Sequence, residues 1–485
     1  MYKKKSVQIN MILNMARTII SIAFPLITYP YATRVLQAEN YGKVTYASTI
    51  VSYFALIAAL GISSYAVREG AIYRKNKEAF KRFANEIFSI NIFFTCVAYL
   101  IFFIIIKFFG FFQSDLLLLE ITSLSIIFTT LNVEWINIIY EDFLYITVRS
   151  FLVQIVSLLL LFIFVKSKND FYKYALLQVI NSGIIAILNF KYTKKYCRPH
   201  IILSMNLKKH IRPIMILFSN SLAVSIYLNI DNVFLGMEKG TYYVGIYSVA
   251  VKVYTILKQI IASIYTVTVT RLSEYIERKN FCEYNKLLNN VINNIIIISV
   301  PIAVGITSIS ESVVNILAGE SYVEACIPLN ILSFAVFFAV IGGALAYCVN
   351  LPYKRENKNL KATIISALIN FMLNFIAVPL LGVNGAALTT VISEISVCIV
   401  LFYGMKDLWF NFELKKIFIN LTKCIISSIP MIIIRNIISL YVESNSFCFI
   451  IIMISICIIQ YVLMNLLLKN ENLTDFIKLF KKVKK

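Results

Sequence analysis

Apolar runs, each about as long as a bilayer is thick, follow one another along the whole 485-residue chain, with short polar connections between them. A hydrocarbon core of roughly 30 Å takes about 20 helical residues to cross. On that measure the pattern predicts fourteen transmembrane helices: 10–32, 43–67, 84–106, 116–139, 150–165, 174–190, 213–235, 242–270, 288–309, 322–348, 362–380, 384–403, 417–434 and 446–468. With 59% hydrophobic residues and a mean hydropathy of +0.78, the chain reads as an all-α integral membrane protein, not a soluble one with an apolar domain. The first run is too long, and too closely followed by others, for a cleaved signal peptide.

The formal charge of +21 would suggest nucleic acid in a soluble chain. Its distribution argues for topology instead. One alternate set of connections plus both tails holds 34 of the 46 Lys and Arg; the opposite set holds 8. By the positive-inside rule both termini are expected in the cytoplasm, and nucleic acid is not an expected partner. The remaining four cations, Arg17, Lys252, Lys258 and Lys423, fall inside spans. Nine scattered cysteines, without a C-x-x-C pair, suggest neither a disulfide framework nor a metal site. His200 and His210 share one Lys-rich connection and read as surface residues.

That connection, 191–212, is the longest cytoplasmic one and splits the chain near its middle. Residues after it weakly repeat those before it. Tyr41-Gly42-Lys43-Val44-Thr45-Tyr46-Ala47 is echoed by Val244-Gly245-Ile246-Tyr247-Ser248-Val249-Ala250, and Tyr145-Ile146-Thr147 by Lys361-Ala362-Thr363. The expected organisation is a six-helix lobe over 1–192, a linker over 193–211, a second six-helix lobe over 212–404 in the same orientation, and two further helices with a basic tail over 405–485.

A charge at the bilayer centre costs about 2.5–3.5 kcal/mol on insertion scales, so each intramembrane ion is a candidate site. Arg17, about two turns into the first span, either snorkels to headgroups or lines a hydrated cavity. Lys252 and Lys258 are too deep to snorkel together, and their spacing puts them on different faces of one helix. Arg34 ends the first span among interfacial tyrosines; Asp231 is a candidate for cation coupling or for pairing with a cavity cation. Pro25 and Pro30 should bend the first span and are candidate hinge positions. Asn370 and Asn374, one turn apart, suit interhelical hydrogen bonds, and Gly382-Val383-Asn384-Gly385 a tight external turn. No phosphate loop, H-E-x-x-H, G-x-S-x-G or carboxylate cluster is present, and no external connection is long enough for a catalytic domain. The expectation is a transporter without cofactor, not an enzyme.

The stretch FPLITYPYATRVLQAENYGKVTYA (24–47) resembles the opening of bacterial polysaccharide flippases of the O-antigen and capsule repeat-unit type. So do GISSYAVRE (61–69), NVEWINIIYEDFLYITVRS (132–150) and PLLGVNGAALTTVISE (379–394). The chain departs from that pattern at Gln37 and Ile139, where such proteins often carry glycine. The resemblance implies the fold of the multidrug/oligosaccharidyl-lipid/polysaccharide exporter superfamily, with two lobes around a cavity that opens alternately to each side. It implies an undecaprenyl-pyrophosphate-linked oligosaccharide as substrate, with a glycan polymerase and chain-length machinery as further partners beside membrane lipids. The substrate-binding residues expected are Arg17, Arg34, Lys252 and Lys258, because a pyrophosphate leaving water needs cations. A lipid II flippase and a cation-coupled multidrug antiporter share the fold and stay open as alternatives; a membrane-embedded glycan polymerase or acyltransferase is the alternative of another class.

Overall fold

The computed structural model describes residues 7–108, 115–202, 206–443 and 446–474; along 7–22 the side chains described are those of 13, 16, 17, 20 and 21. The basic tails 1–6 and 475–485 and most of the 107–115 connection, all counted in the charge asymmetry, lie outside these residues. The described residues are mostly helical, with no strand among them, and thirteen helical stretches are long and apolar enough to cross a membrane. It forms two compact units, Met1–Gly245 and Ile246–Lys485.

The exposed faces of the helices are apolar, and the polar side chains within the spans mostly turn inward, as a lipid solvent favours. On α12 (Glu356–Leu381) the exposed stripe is Leu368, Met372, Phe375, Ile376 and Leu380, while Ser366, Asn370 and Asn374 are buried on the opposite face. The Asn374 side-chain amide donates to Asn370 Oδ1 at 3.1 Å, and Thr389 on α13 (Val383–Gly404) donates to Asn374 Oδ1 at 3.2 Å. Gly382 joins the two helices at φ 57°, and a Cβ on Gly385 would collide with the Ala377 carbonyl. The turn therefore needs both glycines, one for its backbone angle and one for close approach.

In the first unit, α1 (Val7–Ala59) is 53 residues long. At 1.5 Å per residue it would reach about 80 Å, more than twice the hydrocarbon thickness. One residue divides it: Gln37, at φ 62°, ψ 171°. The chain reverses there. Tyr29 and Tyr41 would stand about 18 Å apart along a straight helix, yet their rings meet edge to face with centroids at 5.5 Å. Residues either side of Gln37 also reach one short connection, Tyr31 donating to the Val165 carbonyl at 2.7 Å and Asn40 to that of Lys168 at 2.8 Å. The expected spans 10–32 and 43–67 are thus two limbs of one helical hairpin, and the loop expected between them shrinks to a single non-helical residue. Pro25 and Pro30 sit inside the helix without ending it.

The hairpin packs on α3 (Lys77–Phe108), α4 (Leu116–Leu131), α6 (Phe143–Phe164), α7 (Phe171–Tyr192) and α8 (Leu207–Glu238). Helix α8 also packs on α2 (Ile62–Tyr73), within the first unit. Gly236 of α8 lies against the Tyr46 ring, where any side chain would clash. The two glycines of the sequence echo meet as well: a Cβ on Gly42 would strike the Thr241 carbonyl, and one on Gly245 the Ala38 carbonyl.

In the second unit α9 (Thr241–Glu277) continues from the boundary, and α10 (Phe281–Ala318) packs on α11 (Cys326–Ala344). The C-terminal pair forms α14 (Leu414–Ser428), α15 (Pro430–Ile438) and α16 (Phe447–Leu467), which also pack on α10. Pro430 opens α15 at a position where a missing N–H costs nothing. A buried asparagine network ties this pair down: Asn420 donates to Asn293 Oδ1 at 2.9 Å, and Asn470 to Asn420 Oδ1 at 2.9 Å and Asn465 Oδ1 at 2.8 Å.

Candidate functional site

The most concentrated charge inside the first unit forms where α4 ends. Asn132 and Val133 leave helical geometry, and a six-residue helix, α5 (Glu134–Ile139), follows. The chain turns through Glu141 at φ 55° and Asp142 before α6 begins at Phe143. This double break places Glu134 between two arginines. Arg17 donates to Glu134 Oε1 at 2.7 Å, and Arg149 donates to Oε2 at 2.6 Å. The Arg149 side chain is 3% exposed, that of Glu134 14% and that of Arg17 34%.

Arg149 is held from several sides. It also donates to Asn189 Oδ1, to which the Asn137 amide donates at 3.3 Å, and Asn189 in turn donates to Asn132 Oδ1. The Tyr145 ring lies 5.7 Å from its guanidinium. Arg149 is therefore a fixed, desolvated counter-ion, while Arg17 stays about a third exposed. The cluster carries two cations and one carboxylate.

Beside it, Asp142 is 2% exposed and accepts hydrogen bonds from Tyr192 at 2.7 Å, Tyr196 at 2.6 Å and Lys195 at 3.2 Å. Stacked pairs Tyr145–Tyr192 and Tyr140–Tyr196 brace the turn. Burial, and then the bond to Asp142, push the Tyr196 phenol above its ordinary range, so it stays a neutral donor.

In the second unit Lys258 on α9 donates to Glu394 Oε1 of α13 at 2.9 Å, and Tyr254 donates to the same oxygen. Glu394 is 4% exposed and Lys258 28%. Carboxylates on the apolar helices are thus paired to the chain's cations in both units. Lys252, six residues before Lys258 on the same helix, is half-buried.

The other sequence candidates fall as follows. Arg34 is exposed on α1, three residues before the reversal. Asp231 is 5% exposed on α8, and Tyr53 of α1 lies within its electrostatic reach. Lys423 snorkels, donating to the Lys469 carbonyl at 2.9 Å. His200 is exposed and bonds the Asn85 side chain at 3.1 Å. His210 corrects the surface reading: it is fully buried between Tyr65 at 2.7 Å and Glu86 at 2.9 Å. An ionised carboxylate can only accept, so Nε2 donates to Glu86, and Nδ1 shares the second hydrogen bond with the Tyr65 hydroxyl.

Sequence reasoning counted Arg149 among the basic residues of a cytoplasmic connection and passed over Glu134 and Glu394. The signal for the first pair was present: opposite charges flank the Tyr140-Glu141-Asp142 reversal, each at the end of an apolar run. Among the described residues no group of three or more His, Cys, Asp or Glu could hold a metal ion, and all nine cysteines are free.

Comparison with known proteins agrees with this architecture. Residues 7–276 match the model of the family described as polysaccharide biosynthesis protein. Capsular polysaccharide biosynthesis protein CapF of Staphylococcus aureus is 26% identical over 379 residues, covering 76% of this chain and 92% of CapF. Among solved structures, the lipid II flippase MurJ in an inward closed conformation aligns with a TM-score of 0.79 at 17% identity, covering 95% of this chain and 99% of MurJ. An inward-facing multidrug resistance MATE family transporter of the MOP superfamily aligns at 0.63 and 13% identity, covering 82% and 98%. At such identities these two structures speak for the fold alone. The chain belongs to the polysaccharide biosynthesis protein family, and its fold is the one its sequence resemblance implied, shared with the MurJ and MATE structures.

Proposed function

We propose that this protein turns an undecaprenyl-pyrophosphate-linked oligosaccharide repeat unit from the cytoplasmic to the outer leaflet of a bacterial plasma membrane, by alternating access and with both termini cytoplasmic. The observation that carries the reading is the asymmetry of the Arg17–Glu134–Arg149 cluster. A pyrophosphate arriving at the open side of Arg17 displaces Glu134 from it. Glu134 keeps its pair with buried Arg149, so no orphaned charge results. A second cation–carboxylate pair, Lys258–Glu394, supplies the same exchange in the other unit. Arg17, Lys252 and Lys258 bind the headgroup in this reading, and exposed Arg34 receives it near the opposite end of the first limb.

Asp231 is the proposed coupling or charge-partner residue, and Pro25 and Pro30 the points at which the first limb bends. The two lobes move as units, and a glycan polymerase with its chain-length machinery consumes the product. The test is the leaflet distribution of lipid-linked oligosaccharide after deletion of the gene in its host. Inner-leaflet accumulation and loss of surface glycan, restored by the wild type but not by an Arg17→Ala/Lys252→Ala variant, is the expected result. Unchanged glycan with raised drug sensitivity would replace this reading with multidrug export.

A further inference from the structure

The first unit holds a cavity of about 350 Å³ that the charged cluster does not use. One wall is a hydroxyl stripe on the second limb of α1: Thr45, Ser48, Thr49 and Ser52 recur at helical spacing and share one face. Gln178 of α7 and Asn229 and Asn232 of α8 supply amides from other sides. A second cavity of about 210 Å³ shares Ser48, Ser52 and Gln178 and adds Ser125 and Ser182, extending the same surface. None of the described lining residues carries a charge.

We infer that this double cavity is a subsite for uncharged sugar residues, an inference that rests on the flippase reading and names where its glycan is held. An anion or an organic cation would find no counter-charge here. The hydroxyls and amides alternate with Tyr41, Val44, Ala55, Ala175 and Val179, so the wall offers hydrogen-bonding groups beside apolar ones, as a sugar ring does with its hydroxyls and C–H faces. A saccharide matches the wall group for group, because hydroxyls and amides both donate and accept. The empty cavity is also inexpensive. Thr45 donates to the Tyr41 carbonyl at 3.0 Å, Thr49 to that of Thr45 at 2.8 Å and Ser52 to that of Thr49 at 2.7 Å. Each oxygen still offers lone pairs to a sugar hydroxyl. On the α8 wall the buried Asn232 Oδ1 has no hydrogen-bond partner in the described structure.

Position supports the assignment. Both limbs of the α1 hairpin start at Gln37, so distance from that reversal can be read along each. At 1.5 Å per residue Thr45 and Ser52 lie about 12 and 22 Å from it, and Arg17 about 30 Å. A headgroup whose pyrophosphate rests at Arg17 and whose sugars extend toward the reversal passes into the hydroxyl-lined cavity.

The experiment compares two lipids on the purified full-length protein by native mass spectrometry: polyprenyl pyrophosphate without sugar, and the polyprenyl-pyrophosphate-linked oligosaccharide extracted from the host. The wild type is expected to prefer the glycosylated lipid by about tenfold or more. Ser48→Leu/Ser52→Leu and, separately, Asn232→Leu are expected to lose the preference while still binding the sugar-free lipid, which reports that they fold. Arg17→Ala weakens both lipids alike. A wild type without preference, or variants that retain it, would overturn the sugar subsite and leave the flippase reading standing. A wild type that binds neither lipid would overturn both.

Discussion

The shared carboxylate predicts an order of stabilities for three substitutions. Glu134→Gln leaves two guanidiniums facing a neutral amide, one of them Arg149 at 3% exposure. Removing one partner of a buried pair costs about 3–5 kcal/mol, and this variant belongs at the upper end. Arg149→Met keeps Glu134 paired with Arg17 but strips a donor from buried Asn189, which places it near the lower end, about 3 kcal/mol. Arg17→Met removes a side chain that is a third exposed, and solvent takes over part of its role, so about 1 kcal/mol is expected. For a unit the size of the first one, each kcal/mol moves a melting midpoint by about 2–4 °C. The two severe variants should therefore melt about 6–20 °C lower. The chain's two tryptophans suit the assay, since buried Trp135 adjoins Glu134 and Trp409 reports on the second unit. The Trp135 transition should shift in the order Glu134→Gln, Arg149→Met, Arg17→Met. A double Glu134→Gln/Arg149→Met variant should melt above Glu134→Gln alone, because it no longer buries an unpaired cation. Equal shifts for the two arginines, or a double variant no better than Glu134→Gln, would refute the reasoning.

Two further substitutions test the backbone. Gln37 occupies a region of φ and ψ that glycine fills without strain, at a cost of about 1–3 kcal/mol for other residues; Gln37→Gly should stabilise the fold by a net of about 1 kcal/mol after the glycine's greater freedom in the unfolded chain is subtracted, and so raise the thermal midpoint. A lower midpoint would mean that the Gln37 side chain contributes more than its backbone costs. Gly385→Ala should destabilise by about 1–3 kcal/mol, since its Cβ meets the Ala377 carbonyl and backbone must move; an unchanged midpoint in detergent would show that the α12–α13 turn relaxes freely.

Much of the fold is legible because lipid imposes one rule along the whole chain: backbone groups must pair within a helix, so length and hydropathy find the spans. The α12 stripe and the Asn370–Asn374 pair follow directly from helical spacing. Gln37 was visible as a departure from a glycine, but the sequence could not say that a single residue would suffice for the reversal. The charged clusters were less legible, for two reasons. Arg149 stands only seven residues after Asp142, and hydropathy alone does not tell a loop arginine from one in the first turns of a buried helix. Lys258 and Glu394 are 136 residues apart, and no local pattern links them. His210 was misread because its neighbours in sequence are lysines, whereas its neighbours in space are Tyr65, Phe83 and Glu86.

The most direct measurement is transbilayer movement of the host's lipid-linked oligosaccharide in proteoliposomes carrying the purified protein. The wild type should move this lipid between leaflets well above protein-free vesicles, and Arg17→Ala should abolish the movement while remaining folded. Movement at the protein-free rate, or an Arg17→Ala variant as fast as the wild type, would contradict it.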